Sequence, residues 1–177
     1  MRFGSALPDE LVTRYVQKIN FSRDAVFGVY DDALKLLAVG HLVYSPRGAV
    51  PGLAAATERE RIAEFGVSVL APYRGQGIGT RLFERAAMHC RNDDIDTLYM
   101  HCLSSNDSMI HIATKAGMTI HRDHGEADAY LKLPPADPAS VLQEVFDEQV
   151  ASLDYTLKAN TRALGKFIKD LPGPKGK

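Results

Sequence analysis

Arg74-Gly75-Gln76-Gly77-Ile78-Gly79-Thr80 separates an apolar stretch, Ala63 to Leu70, from an amphipathic one carrying Leu82, Phe83, Ala86, Ala87 and Cys90. The first alternates like a strand and the second repeats like a helix, so the glycines fall on a strand-to-helix turn. Glycine at alternate positions lets the backbone approach a ligand with no Cβ in the way, and the first turn of a helix leaves N–H groups pointing outward. Such a turn suits an anion. A dinucleotide fingerprint counted from Gly75 needs glycine or alanine at position 80, where Thr80 stands. A P-loop needs Gly-Lys-Ser/Thr, which the stretch lacks.

The chain has 177 residues, 45% of them hydrophobic, enough for one domain with a sizeable core. Its 21 basic and 22 acidic side chains nearly cancel, which argues against nucleic acid or an anionic membrane as partner. Cys90 and Cys102 are too few for a disulfide framework and read as buried thiols in a reducing compartment. Met1 to Leu11 holds no long apolar stretch, and no run of about 18 apolar residues occurs. The expectation is a cytoplasmic protein.

Leu11, Val12, Tyr15, Val16 and Ile19 share one face of a helix that starts near Pro8-Asp9 and is expected to end near Asn20. Ala25 to Tyr30 and Leu36 to Tyr44 read as a hairpin joined through Asp31-Asp32. Ser45 to Arg61, with Pro46, Gly48, Pro51 and Gly52, reads as a loop before the central strand and a candidate substrate-facing element. Along that strand Ala63, Phe65, Val67 and Val69 alternate with Glu64, Gly66 and Ser68, so one face is core and the other is small around Glu64. Thr97 to Leu103 is a strand. Ser105, Asn106 and Asp107 offer caps to a short helix with Met109, Ile112, Ala113 and Ala116, closed by Gly117. Met118 to Arg122 and Ala127 to Leu133 form two more strands around Gly125.

Arg-x-x-Gly-x-Gly at a strand-helix junction, within the order α, β, β, β, α, β, α, β, β, resembles the GNAT superfamily of acyl-CoA-dependent N-acyltransferases. The likeness covers about residues 2 to 133. It implies an α/β fold, a mixed central sheet flanked by helices. It also implies that Val67, Ser68 and Val69 pair with a pantetheine arm, that Arg74, Gly75, Gln76, Gly77, Ile78, Gly79 and Thr80 hold the pyrophosphate, and that Asn106 contacts the arm. Many GNAT enzymes carry a tyrosine four residues before the glycine that matches Gly117, as acid for the departing thiolate; Ala113 stands there. A thiol with a pKa near 8.5 is a fair leaving group without help. Tyr99 and Tyr130 are candidate replacements. In pattern the chain looks like the GNAT domains of bacterial protein lysine acetyltransferases.

An amine attacks a thioester through its lone pair. A lysine-like amine of pKa about 10.4 is neutral in roughly one part in 2,500 at pH 7, a handicap of about 4.6 kcal/mol. A carboxylate that accepts the proton offsets part of it, and Glu64, on the strand that should line the thioester, is the candidate base. Its bland alternative is an ion pair with Arg59 or Arg61. His101, His111, His121 and His124 are conceivable metal ligands, but only His121 and His124 lie close in sequence, at a turn, and no metal site is expected. The reading is an acetyl-CoA-dependent N-acetyltransferase with an amine acceptor; the alternative is a non-catalytic acyl-CoA-binding sensor or scaffold.

Residues 134 to 177 differ in character. Asp137 and Pro138 start a helix with Val141, Leu142, Val145, Phe146, Gln149, Val150, Leu153 and Leu157 on a broad apolar face. Unbroken to Lys169 it would span about 48 Å, so a break near Asn160 or Gly165 is expected. The helix either packs back on the sheet or pairs with a second copy, giving a homodimer. The tail from Leu171 reads as disordered.

Overall fold

The computed structural model describes residues 8–45 and 60–170. The expected loop from Ser45 to Arg61 and the expected disordered tail fall mainly outside these residues. Within them run α1 (Asp9–Gln17), β1 (Ala25–Tyr30), β2 (Leu36–Tyr44), β3 (Ile62–Val69), α2 (Ile78–Asn92), β4 (Thr97–Leu103), α3 (Asp107–Lys115), β5 (Thr119–Asp123), β6 (Glu126–Lys132) and α4 (Pro138–Asp170). A single six-stranded sheet has the order β1-β2-β3-β4-β6-β5. Every neighbouring pair is antiparallel except β3 and β4, which are parallel and joined through α2.

Alternation sorts the sheet into two faces. One carries Leu42, Ala63, Phe65, Leu98, Met100 and Ala129, buried beneath Leu82, Phe83 and Ala86 of α2 and Ile112 and Ala113 of α3. The other carries His41, Glu64, Gly66, Tyr99, His101, Asp128 and Tyr130, as the strand registers require. The apolar face holds the fold together, and the polar face gathers the titratable side chains of the central strands.

The β3–β4 ladder is short. Ile62, Ala63 and Glu64 pair with Thr97, Leu98 and Tyr99, and no further pair follows although β3 runs on to Val69 and β4 to Leu103. The sheet therefore forks in its middle, immediately beyond Glu64.

Two helix ends differ from expectation. Helix α1 stops at Gln17, because the Asn20 side chain accepts a hydrogen bond from Ser22 N at 3.1 Å while its carbonyl takes the amides of Arg23 and Asp24. This local turn outcompetes another helical turn. Helix α4 runs unbroken for 33 residues through Asn160 and Gly165. One glycine costs a helix only about 1 kcal/mol relative to alanine, too little to break it. Asp137 caps α4 as expected, its Oδ1 accepting from Ser140 N at 2.7 Å.

Helix α4 meets the rest of the chain through polar groups. Glu144 lies 2.5 Å from His89 Nδ1 and accepts from Asn92 Nδ2 at 2.6 Å. Asp147 pairs with Arg85 at 3.6 Å, Tyr155 meets Tyr30 edge-on, and Arg162 donates to the Ala33 carbonyl at 3.0 Å. Burial pushes the Cys90 thiol up to about 12, with the carboxylates of Asp93 and Glu144 adding to the effect. Both Cys90 and Cys102 are buried and free of any disulfide.

Candidate active site

At the open end of the fork β3 passes through a 3-10 turn, Ala71–Tyr73, into the glycine loop. Gly75 and Gly77 take left-handed φ of 74° and 78°, and Gly77 is the N-cap of α2. No atom lies within 4 Å of where a Cβ on either would stand. The N-terminal turn of α2 has no side-chain cap, so its amides are left to an incoming acceptor. Arg74 Nε ties the loop back to the Val69 carbonyl at 3.0 Å, and Gln76 Nε2 donates to the Pro72 carbonyl at 3.3 Å. A Cβ on Gly79 would come 3.1 Å from Ile112 Cδ1, so the first turn of α2 abuts α3.

Val67, Ser68 and Val69 lie on the arm of β3 that has left β4. Asn106 follows the end of β4 on the other arm, its Oδ1 accepting from Met109 N at 3.3 Å as the cap of α3. The structure thus brings the cofactor-binding candidates to one end of the fork. Ala113 faces the core, 1% exposed.

Glu64 stands on the polar face where the fork begins. It helps wall a cavity of about 190 Å³ with Tyr15, His41, Val43 and Gly66. A larger cavity of about 260 Å³ lies at the other end of β3, beside Arg61 and Asp93. Arg61, one candidate partner of Glu64, instead reaches Asp93 at 3.7 Å; Arg59 lies outside the described residues. Across the Glu64 cavity His41, 6% exposed, has Nδ1 2.9 Å from the Tyr15 hydroxyl and Nε2 3.4 Å from Asp24 Oδ2. Nε2–H donating to Asp24 leaves Nδ1 to accept from Tyr15.

The opposite arm carries a second polar cluster. Tyr99 donates to Asp128 Oδ1 at 2.6 Å, His101 Nδ1 is 2.8 Å from the same oxygen, and Tyr99 stacks on Tyr130 at 5.1 Å. Burial raises the Asp128 pKa, but hydrogen bonds from Tyr99 and His101 outweigh it and leave the carboxyl below its ordinary value. The Tyr99 and Tyr130 hydroxyls are pushed up, by burial first and then by Asp128. A phenol that already donates to a carboxylate holds its proton tightly, which weakens Tyr99 as a thiolate acid.

Tyr15, Asp24, His41 and Asp128 are not singled out as functional residues by sequence reasoning, which considers His101 only as a conceivable metal ligand. A lone histidine at 41 among β2 apolar residues and a lone Asp128 between Ala127 and Ala129 were the signals, yet only strand register shows that both face Glu64's side. Among the described residues no group of three or more His, Cys, Asp or Glu side chains converges as a metal site, and no helix is long and apolar enough to cross a membrane.

A mixed sheet forked beside an uncapped glycine turn defines an acyl-CoA-dependent acyltransferase fold. Residues 3–118 match the Acetyltransferase (GNAT) family, and the chain belongs to it. It is 31% identical to N-alpha-acetyltransferase 50 of Danio rerio over 120 residues, 65% of this chain and 70% of that protein. In fold it is similar to the GNAT domain of S. lividans PAT (24% identity, TM-score 0.54, 72% and 70% of the two chains). It is similar as well to Arabidopsis thaliana NAA60 in complex with a bisubstrate analogue (10% identity, TM-score 0.59, 75% and 86%). The chain is an acetyl-CoA-dependent N-acetyltransferase.

Proposed function

We propose that the acceptor is a primary amine on a slender chain, entering through the Glu64 cavity, and that Glu64 is the general base. The observation that carries this reading is one coincidence: the only carboxylate on β3 walls a cavity where the sheet opens. A volume of about 190 Å³ suits an aliphatic amine better than a bulky ring system. Protein α-amines, as the name of the fish relative indicates for that enzyme, and lysine side chains both meet that description.

The cofactor side of the fork fits acetyl-CoA. The separated arm at Val67, Ser68 and Val69 offers backbone groups for the pantetheine arm, with Asn106 facing it from β4's end. The amides of Gly75 to Thr80, which include Gln76 and Ile78, with Arg74 anchoring the loop, hold the pyrophosphate. Acetyl-CoA supplies the thioester carbonyl. The amine nitrogen bonds to that carbon as Glu64 accepts its proton, directly or through water, and the carbon–sulfur bond then breaks to release thiolate. Amides of β3 beyond Glu64 stabilise the developing oxyanion. Tyr15 and His41, locked together across the cavity, fix the wall against which the amine rests.

A second reading follows from the His101–Asp128 hydrogen bond, which places an oriented imidazole on the other arm. Glu64→Gln separates the two. With Glu64 as base, turnover falls about 10²- to 10⁴-fold, acetyl-CoA affinity stays within about twofold, and the rate recovers as pH rises. Normal turnover in Glu64→Gln with a hundredfold loss in His101→Asn would move the base across the fork. The balanced charge supports a protein without nucleic-acid or anionic-membrane partners, and the two buried free thiols support a reducing, cytoplasmic compartment. The exposed apolar face of α4 supports a homodimer.

A further inference from the structure

Helix α4 lies on the molecule the wrong way round for a surface helix. At about 100° per residue, Ser140, Glu144, Asp147, Tyr155, Lys158 and Arg162 fall on one stripe. Those residues meet the body of the protein, as does Glu148 beside them through Arg85 at 3.9 Å, and all but Tyr155 do so with polar atoms. On the far side Leu142, Phe146, Leu153 and Leu157 are 70%, 63%, 63% and 66% exposed and Val150 is 48% exposed. An amphipathic helix gains stability by burying its apolar stripe, and this one turns that stripe to solvent.

The spacing says what covers it. Phe146, Val150, Leu153, Leu157 and Asn160 follow one another at intervals of 4, 3, 4 and 3, the a/d seam of a two-stranded coiled coil. We propose that α4 pairs with α4 of a second copy, parallel and in register, with the two bodies on opposite outer sides. This deepens the homodimer reading and rests on it.

Flanking charge selects the direction. Asp147 and Asp154 occupy one flank of the seam and the uncharged Gln149 and Thr156 the other. Antiparallel helices would bring Asp147 of each copy, held by Arg85, against Asp154 of its mate, held by Lys158, so that carboxylate meets carboxylate twice with neither side offering a donor at the contact. Parallel helices set Gln149 of one copy beside Asp154 of the other, an amide donor on a carboxylate. They also bring the two Asn160 side chains together at the seam, where amides satisfy each other and penalise a slipped register.

Sedimentation of wild type, of Leu153→Asp/Leu157→Asp and of Asn160→Cys tests this, with acetyl-CoA binding and melting temperature as folding controls. Both leucines are exposed in the single chain, so the double variant should fold and bind cofactor normally while its dimer dissociation constant rises at least about 100-fold. Under mild oxidation Asn160→Cys should give a disulfide-linked dimer. A wild-type monomer at high micromolar concentration overturns both the homodimer and this interface. A dimer indifferent to the double aspartate variant overturns the interface and leaves the homodimer standing. A dimer that is lost in that variant, with no Asn160→Cys cross-link, overturns the parallel arrangement.

Discussion

Gly77→Ala separates what the glycine turn does for the fold from what it does for the ligand. Gly77 has φ 78° and ψ 0°, and an added Cβ would meet nothing within 4 Å, so the cost to the free protein is backbone strain alone. Left-handed alanine costs about 1–2 kcal/mol, which for a chain of this size lowers the melting temperature by about 2–8 °C. In the wild type, acetyl-CoA at 100 times its dissociation constant should add about 2.7 kcal/mol, a rise of about 5–11 °C. If a methyl at Gly77 meets the pyrophosphate and weakens binding at least tenfold, that gain shrinks to about 1.4 kcal/mol or less at the same concentration. Gly125, φ 88° in the β5–β6 turn and equally open, is the control. Gly125→Ala should melt as early as Gly77→Ala yet keep the full ligand-induced rise. Asparagine tolerates left-handed φ, so Gly77→Asn should regain part of the stability and none of the affinity. Differential scanning fluorimetry with and without acetyl-CoA, backed by titration calorimetry, reads all four proteins. Wild-type affinity in Gly77→Ala would refute the assignment of this turn to the pyrophosphate.

Tyr15→Phe deletes the hydroxyl that meets His41 and should raise the acceptor KM several-fold with acetyl-CoA affinity unchanged; steady-state kinetics in both substrates checks this. Asp128, its carboxyl held below the ordinary value, adds stability above the unfolded pKa of about 3.9 that is lost as pH falls through the folded value. Acid unfolding of Asp128→Asn should therefore show a shallower fall in stability below about pH 4, and a limb as steep as wild type would contradict the pairing. With its thiol pushed up to about 12 and buried, Cys90 should resist alkylation at pH 8 until the chain unfolds. Rapid labelling of the native protein, read by mass spectrometry, would count against that burial.

The legible part of the fold was whatever local period and turn chemistry decide. β1, β2 and β4 follow from short apolar runs bounded by turn residues, and the ends of α3 from the Ser105-Asn106-Asp107 cluster and Gly117, because a cap and a left-handed glycine act within a few residues. The end of α1 was misjudged because Asn20 has two uses for its side chain and only the surrounding turn shows which one wins. The length of α4 was misjudged because Asn160 and Gly165 are weak breakers when the rest of the helix is anchored by Glu144, Asp147 and Arg162. In the candidate site, the position of the glycine turn after β3 and of Glu64 on β3 could be read because both belong to one local stretch of sequence. His41, Tyr15 and Asp128 reach the same face through pairings across β2, β3, β4 and β6, and sequence distance carries no trace of them. Orientation of α4 was likewise hidden: its apolar stripe was plain, but only contacts of Glu144 and Arg162 reveal that it points outward.

Parting of β3 from β4 leaves two rows of backbone donors and acceptors facing each other across a gap in the middle of the sheet, where most proteins tolerate none. A guest that pairs with one row takes the place of a missing strand, and neighbouring strands sit about 4.8 Å apart, so seating it requires roughly double that spacing. An extended arm fits such a slot and a folded peptide does not. Hydrogen exchange should then slow on ligand addition at Gly66 to Val69, just before the glycine turn, and at Met100 to Leu103, on the strand beyond α2. A guest seated there would supply the pairing that β3 and β4 do not give each other beyond Glu64 and Tyr99, tying the two halves of the sheet together.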